Sequence, residues 1–135
     1  FTNTSPGLIW DAIFVNEFIT GAKYIFLDRN VDDLAVDIFM KNYRRGHAYS
    51  YKLEKTYEFI GLYKQMVEII ESRIPEKVLI LNYDDLIKSP RECFDRMVAF
   101  AGLDRQDCEL PELGNNRGVS AQYRKYMDQA LNRVR

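Results

Sequence analysis

Cysteine is nearly absent. Cys93 and Cys108 are the 2 thiols in 135 residues, they form no CxxC pair, and the single histidine, His47, is no near neighbour of either along the chain. A zinc-ligand set or a disulfide framework is therefore not expected, and a reducing, cytoplasmic setting fits best. An excess of charge of one sign is also lacking. With 19 Lys and Arg against 20 Asp and Glu the formal net charge is -1, which provides no global field for a polyanion, so nucleic acid is not an expected partner. A local basic pocket stays open. Long hydrophobic runs are missing, because Asp11, Asn16 and Glu17, or Asp28 and Arg29, interrupt the apolar stretches well short of the about 20 residues of a membrane span. No membrane partner is expected. Glycine (7) and proline (4) are too few for collagen or low-complexity sequence. What remains, 47% hydrophobic and 29% charged residues, is the composition of one globular domain, residues 1–135, around a single core. The chain opens on Phe1 with no basic, apolar and small-residue succession of a signal peptide, and is expected to be part of a longer protein.

Periodicity organises the chain. Leu8, Ile9, Ala12, Ile13, Val15, Phe18 and Ile19 predict a helix over 7–20, entered by Pro6 and Gly7 and ended before Gly21. Lys23–Asp28 is short, aromatic and β-branched and reads as a buried strand. Val31, Leu34, Ala35, Ile38 and Phe39 predict a helix over 31–44 with Asn30 as its N-cap. After a loop at Gly46–Tyr51, the longest amphipathic stretch covers 52–73, with Leu53, Tyr57, Ile60, Tyr63, Met66, Val67 and Ile70 on one stripe and Pro75 as its stop. Tyr49, Tyr51, Tyr57 and Tyr63 are expected to pack this helix against the sheet. Residues 77–83 form a second strand, apolar enough to be buried on both faces, followed by a turn at Asp84 and Asp85. Ser89 and Pro90 cap a helix that ends at Gly102; residues 103–119 read as a loop, and a basic helical tail follows. Two strands separated by more than forty residues that include helices predict an α/β fold, a parallel sheet with helical crossovers. Ile25, Leu27, Leu79 and Leu81 are expected to be buried in it. Two strands make a poor sheet alone, so further strands are expected upstream.

In such a sheet, ligands bind beyond the carboxyl ends of the strands. The first strand ends at Asp28 and Arg29, and a guanidinium just before a helix N-terminus suits a phosphate or sulfate. The alternative is that Arg29 pairs with Asp28, Asp32 or Asp33. His47 is a candidate base or a solvated loop residue.

The segment from Ala22 to Asp33, Ala-Lys-Tyr-Ile-Phe-Leu-Asp-Arg-Asn-Val-Asp-Asp, resembles the strand, arginine and acidic turn of sulfotransferases that use 3'-phosphoadenosine 5'-phosphosulfate, especially the bacterial tetratricopeptide-linked branch and tyrosylprotein sulfotransferases. Gly46–Tyr51 before a long helix, then Val78–Leu86 with Pro90, Phe100, Gly102 and Leu103, follow that family's order, and Phe1–Gly7 resembles the segment before its preceding helix. The resemblance implies a P-loop-like sulfotransferase fold, incomplete at the N-terminus, that moves a sulfuryl group to a hydroxyl or amine acceptor. It implies that Arg29 and a serine eight positions later hold the 3'-phosphate; this chain has Asp37 there. Tyr83 matches a tyrosine near the nucleotide. In the late segment Gln122 and Arg124 match donor-closing residues, while the serine register falls on Val119 with Ser120 one place off. The Gly-rich 5'-phosphosulfate loop is expected before Phe1, and the lysine or histidine of the opening segment falls near Thr4. Two other readings remain: a non-catalytic relative serving as a binding or scaffold domain with a degenerate nucleotide site, and a piece of a P-loop kinase, for which the sequence offers no GxxxxGK[ST].

Overall fold

The two strands pair in parallel. In the computed structural model, which describes residues 3–41, 43, 46–104 and 110, β1 (Tyr24–Asp28) lies beside β2 (Val78–Asn82) with Tyr24 opposite Val78, Phe26 opposite Ile80, Leu27 opposite Leu81 and Asp28 opposite Asn82. The architecture is mixed α/β. The opening segment is a 3-10 stretch, Pro6–Asp11, that passes into α1 (Ala12–Phe18). After β1 come α2 (Val31–Met40), a 3-10 turn at Ala48–Tyr51, and the 21-residue α3 (Leu53–Arg73). Ile74 leaves helical geometry at φ -139°, Pro75 opens a short 3-10 turn, and β2 leads into α4 (Tyr83–Lys88) and α5 (Pro90–Ala101). No helix among the described residues is long and apolar enough to cross a membrane.

The described residues group into two units, one from Phe1–Asp28 and Tyr63–Leu110, the other from Arg29–Leu62. In the first, Ile9, Ala12 and Ile70 are buried, and Tyr24, Phe26 and Val78 from one face of the sheet pack on them together with Tyr63, Met66 and Val67 of α3. Strand alternation and the helical stripe thus meet in one core. The Tyr24 hydroxyl donates to the carbonyl of Ala12 at 2.8 Å, anchoring α1 to the strand. Gly102 closes α5 in left-handed geometry at φ 71°, with backbone bonds from Gly102 to Ala99 and from Leu103 to Val98. The Lys23 ammonium donates to the Phe100 carbonyl and lies over the Phe100 ring, so a cation sits at the negative end of that helix. In the second unit, Ala35 and Val36 of α2 and Leu53 and Ile60 of α3 form the buried centre, with Val31, Leu34, Ile38 and Tyr57 around it.

Several expectations need correction. The second helix stops at Met40 and not at 44, because the stripe that packs on α3 is used up by Ile38 and Lys41 is already extended. Ile25 and Leu27 are exposed, at 43% and 50%, although Leu81 opposite Leu27 is 1% exposed. The shared face is therefore shielded at Leu81 of β2 and open at Leu27 of β1. Tyr83 does not end a strand; it begins α4, where the Asn82 side chain accepts the backbone N–H groups of Asp84 and Asp85. Asparagine at that position competes for the chain by capping, which converts the expected turn into a helix. Of the four tyrosines expected to pack α3 on the sheet, Tyr63 does so; Tyr57 and Tyr49 serve the other unit, and Tyr51 is 64% exposed.

Candidate nucleotide site

Arg29 directly follows the last residue of β1, and Asn30 next to it caps α2 by accepting the Asp33 N–H at 3.1 Å. The cap fixes where the helix starts, and burial of Ala35 and Val36 fixes its rotation. Asp37, two turns in, is thereby placed within reach of Arg29: Arg29 Nη1 lies 2.5 Å from Asp37 Oδ2, with the two side chains 17% and 16% exposed. This is a charge-assisted pair largely withdrawn from water. The sequence left Asp28, Asp32 and Asp33 as partners for Arg29; the structure adds Asp37, accepts the Tyr57 hydroxyl on Asp32 Oδ1 at 2.8 Å, and pairs Asp28 with Lys64 at 2.7 Å.

Tyr83 stands at the start of α4, half-buried, in the first unit. Ser120, Gln122 and Arg124 lie outside the described residues, as do Cys108 and the basic tail. Cys93 is buried in α5. Among the described residues no cluster of three or more His, Cys, Asp or Glu could hold a metal ion.

His47 is not a solvated loop residue. It is half-buried, its Nδ1 is 3.1 Å from the Tyr49 hydroxyl, and its ring lies 4.4 Å from that of Tyr43. Tyr49 in turn stacks on Phe59 at 3.8 Å with the planes 2° apart. Burial, and then the neighbouring Tyr43, push the Tyr49 phenol above its ordinary value. Beside the stack an open groove of about 360 Å³ is lined by Ala48, Tyr49, Lys55, Glu58, Phe59 and Leu62. Sequence reading missed this cluster, since Phe59 falls outside the stripe by which α3 is recognised. A larger open groove, about 690 Å³, runs along α5 and contains none of the expected site residues.

The profile of the family described as sulfotransferase domain matches residues 11–128. The chain belongs to the sulfotransferase domain family. Comparison with curated proteins and with solved structures gave no significant match. The family implies 3'-phosphoadenosine 5'-phosphosulfate as donor, and the residues of this sulfotransferase domain fit that molecule in part. Arg29 has the fork that a phosphate needs and the position after a parallel strand that the topology requires. Asp37 does not fit a 3'-phosphate: a carboxylate is acceptor-only, and it already holds the guanidinium that the phosphate would use.

Proposed function

We propose that the chain is the carboxyl-terminal part of a P-loop-like sulfotransferase domain, of the tetratricopeptide-linked or tyrosylprotein type, that transfers a sulfuryl group from 3'-phosphoadenosine 5'-phosphosulfate to a hydroxyl or amine acceptor in the cytoplasm. The observation that carries the reading is the family match over residues 11–128. Arg29 at the carboxyl end of β1 supports it, because the strand and the capped helix after it put a permanent cation where an open parallel sheet receives its ligands. In this reading Arg29, Tyr83, Ser120, Gln122 and Arg124 are the nucleotide-contacting residues that the family resemblance implies.

A second reading is favoured by one specific contact. The Arg29–Asp37 pair occupies the cation, which is what a non-catalytic relative with a degenerate nucleotide site would show. Incubation of the purified protein with sulfur-labelled donor and a panel of phenols, alcohols and amines separates the two. Label transfer that is lost in Arg29→Ala supports the enzyme; absence of transfer to every acceptor, with no binding of the adenosine nucleotide by titration calorimetry, establishes the scaffold reading instead.

A further inference from the structure

The opening helical segment has two apolar faces, and the fold uses one of them. Ile9 and Ala12 are buried, and Ile13 packs beside them in the core of the first unit. On the other side Trp10, Phe14 and Phe18 recur every four residues through the 3-10 stretch and α1, and they stand 46%, 66% and 72% exposed. We infer that this aromatic stripe is a docking surface for a basic amphipathic helix of a partner protein. The surface involves none of the residues assigned to the nucleotide.

Residues four apart are neighbours on a helix, so the three rings form one line, and Phe14 and Phe18 touch with centroids 4.6 Å apart. Large rings left in water at successive turns cost free energy and add nothing to a core that Ile9, Ala12 and Ile13 serve from the opposite face. They suit a partner. Aromatic side chains are the usual anchors of interfaces, and a partner helix meets such a line with its own residues at i, i+3, i+4 and i+7. Charge then names the kind of helix. Asp11 and Glu17 are both exposed and, at helical spacing, fall on opposite borders of the stripe. Residues 1–22 contain no Lys, Arg or His, and Lys77, which reaches α1, donates to Asn16 at 2.6 Å one turn from the buried Ala12. The borders of the stripe are therefore negative only. A second copy of the chain would bring two more carboxylates against them, and an anionic lipid surface would repel them. A helix whose apolar face is bordered by Lys or Arg pairs with both.

Trp10 is the single tryptophan of the chain, so its emission reports occupancy of the stripe with no competing signal. The probes are a synthetic helical peptide of about 15 residues, with leucine along one face and lysine on both borders, and its counterpart with glutamate for lysine. Titrating the lysine peptide into the protein is expected to move Trp10 emission to shorter wavelength and to saturate. Its affinity is expected to exceed that of the glutamate peptide about tenfold and to fall as salt is raised. Phe14→Ser and Phe18→Ser, at positions exposed enough to leave the core intact, are each expected to weaken binding about tenfold. Asp11→Lys combined with Glu17→Lys is expected to reverse the preference between the peptides. No saturable shift with the lysine peptide, or equal affinity for both peptides, overturns the inference, and the wild type decides this alone if a variant fails to fold. Trp10 emission already shielded from a soluble quencher in the protein by itself overturns it too, since the stripe is then covered from within. So does emission that changes with protein concentration, which puts a second copy on the stripe, or that shifts equally with phosphatidylcholine vesicles, which puts a membrane there.

Discussion

Leu27 and Leu81 face each other across the sheet on the same side of it, yet one is 50% exposed and the other 1%. Truncating each to alanine removes the same three carbon atoms from positions of the same register, so the difference in cost measures how much of that face is covered. For Leu81, full burial gives a transfer loss of about 2 kcal/mol, and the cavity left behind adds about 1–2 kcal/mol, for about 3–4 kcal/mol in all. Leu27 keeps half of its surface in water. Its transfer loss is about 1 kcal/mol, and a side chain open to solvent leaves no enclosed cavity. The Leu81→Ala variant should therefore lose at least twice the unfolding free energy that Leu27→Ala loses. Urea unfolding followed by circular dichroism, with both variants and the wild type fitted to a common slope, gives the comparison. Equal losses, or a loss for Leu27→Ala near 3 kcal/mol, would refute the open face over β1 and mean that the protein in solution covers Leu27.

Two further outcomes are expected. A double-mutant cycle on Arg29 and Asp37, nearly withdrawn from solvent, should give a coupling of about 1–3 kcal/mol, whereas the same cycle on Lys55 and Glu58, 57% and 59% exposed, should give under about 0.5 kcal/mol; couplings of equal size would show that shielding does not govern these pairs. Burial raises the Tyr63 phenol above 10.0, so the neutral form is favoured in the fold, and its contribution is complete below about pH 10 and lost as pH rises through the higher folded value. Stability of the wild type should fall more steeply than that of Tyr63→Phe across that range, and parallel curves would dismiss the shift.

The elements were largely legible because each rests on a local signal. Lys23–Asp28 and 77–83 declared strands by aromatic and β-branched runs, and the long helical passage between them required parallel pairing, which the register shows. Asn30 and Gly102 marked helix ends through chemistry that belongs to caps, and both act as caps. What the sequence could not convey is which neighbour covers a face. The alternation of β1 shows that Ile25 and Leu27 share a side, but not that this side stays open at 43% and 50% while Leu81 beside it is 1% exposed. Tyr83 was misassigned for a related reason: the apolar run continues up to it, while the deciding bonds come from the Asn82 side chain to Asp84 and Asp85. His47 looked like a loop residue because its aromatic partners Tyr43 and Tyr49 lie in a passage without periodicity.

The placement of Asp37 also has a cause that reaches from sequence to function. Asp32 and Asp33 sit in the first turn of α2, where carboxylates gain from the helix dipole, but Asp37 lies one turn beyond Asp33 on the same side of the helix, past the reach of that field and beside a like charge. By itself it is an unfavourable residue there. Arg29 reverses the balance, since it lies outside the helix and extends its long side chain along the first two turns to meet the carboxylate at 2.5 Å. A serine at 37 would remove that carboxylate from the guanidinium and the repulsion from Asp33 as well. The helix would not need the arginine. With aspartate at 37 the arginine becomes part of the fold, and any ligand that approaches this end of α2 meets an arginine and carboxylate together rather than a free cation. Stability and ligand choice at this position are therefore opposed, and variants of Asp37 that gain affinity for a phosphate are expected to be the ones in which the residue at 37 no longer pairs with Arg29.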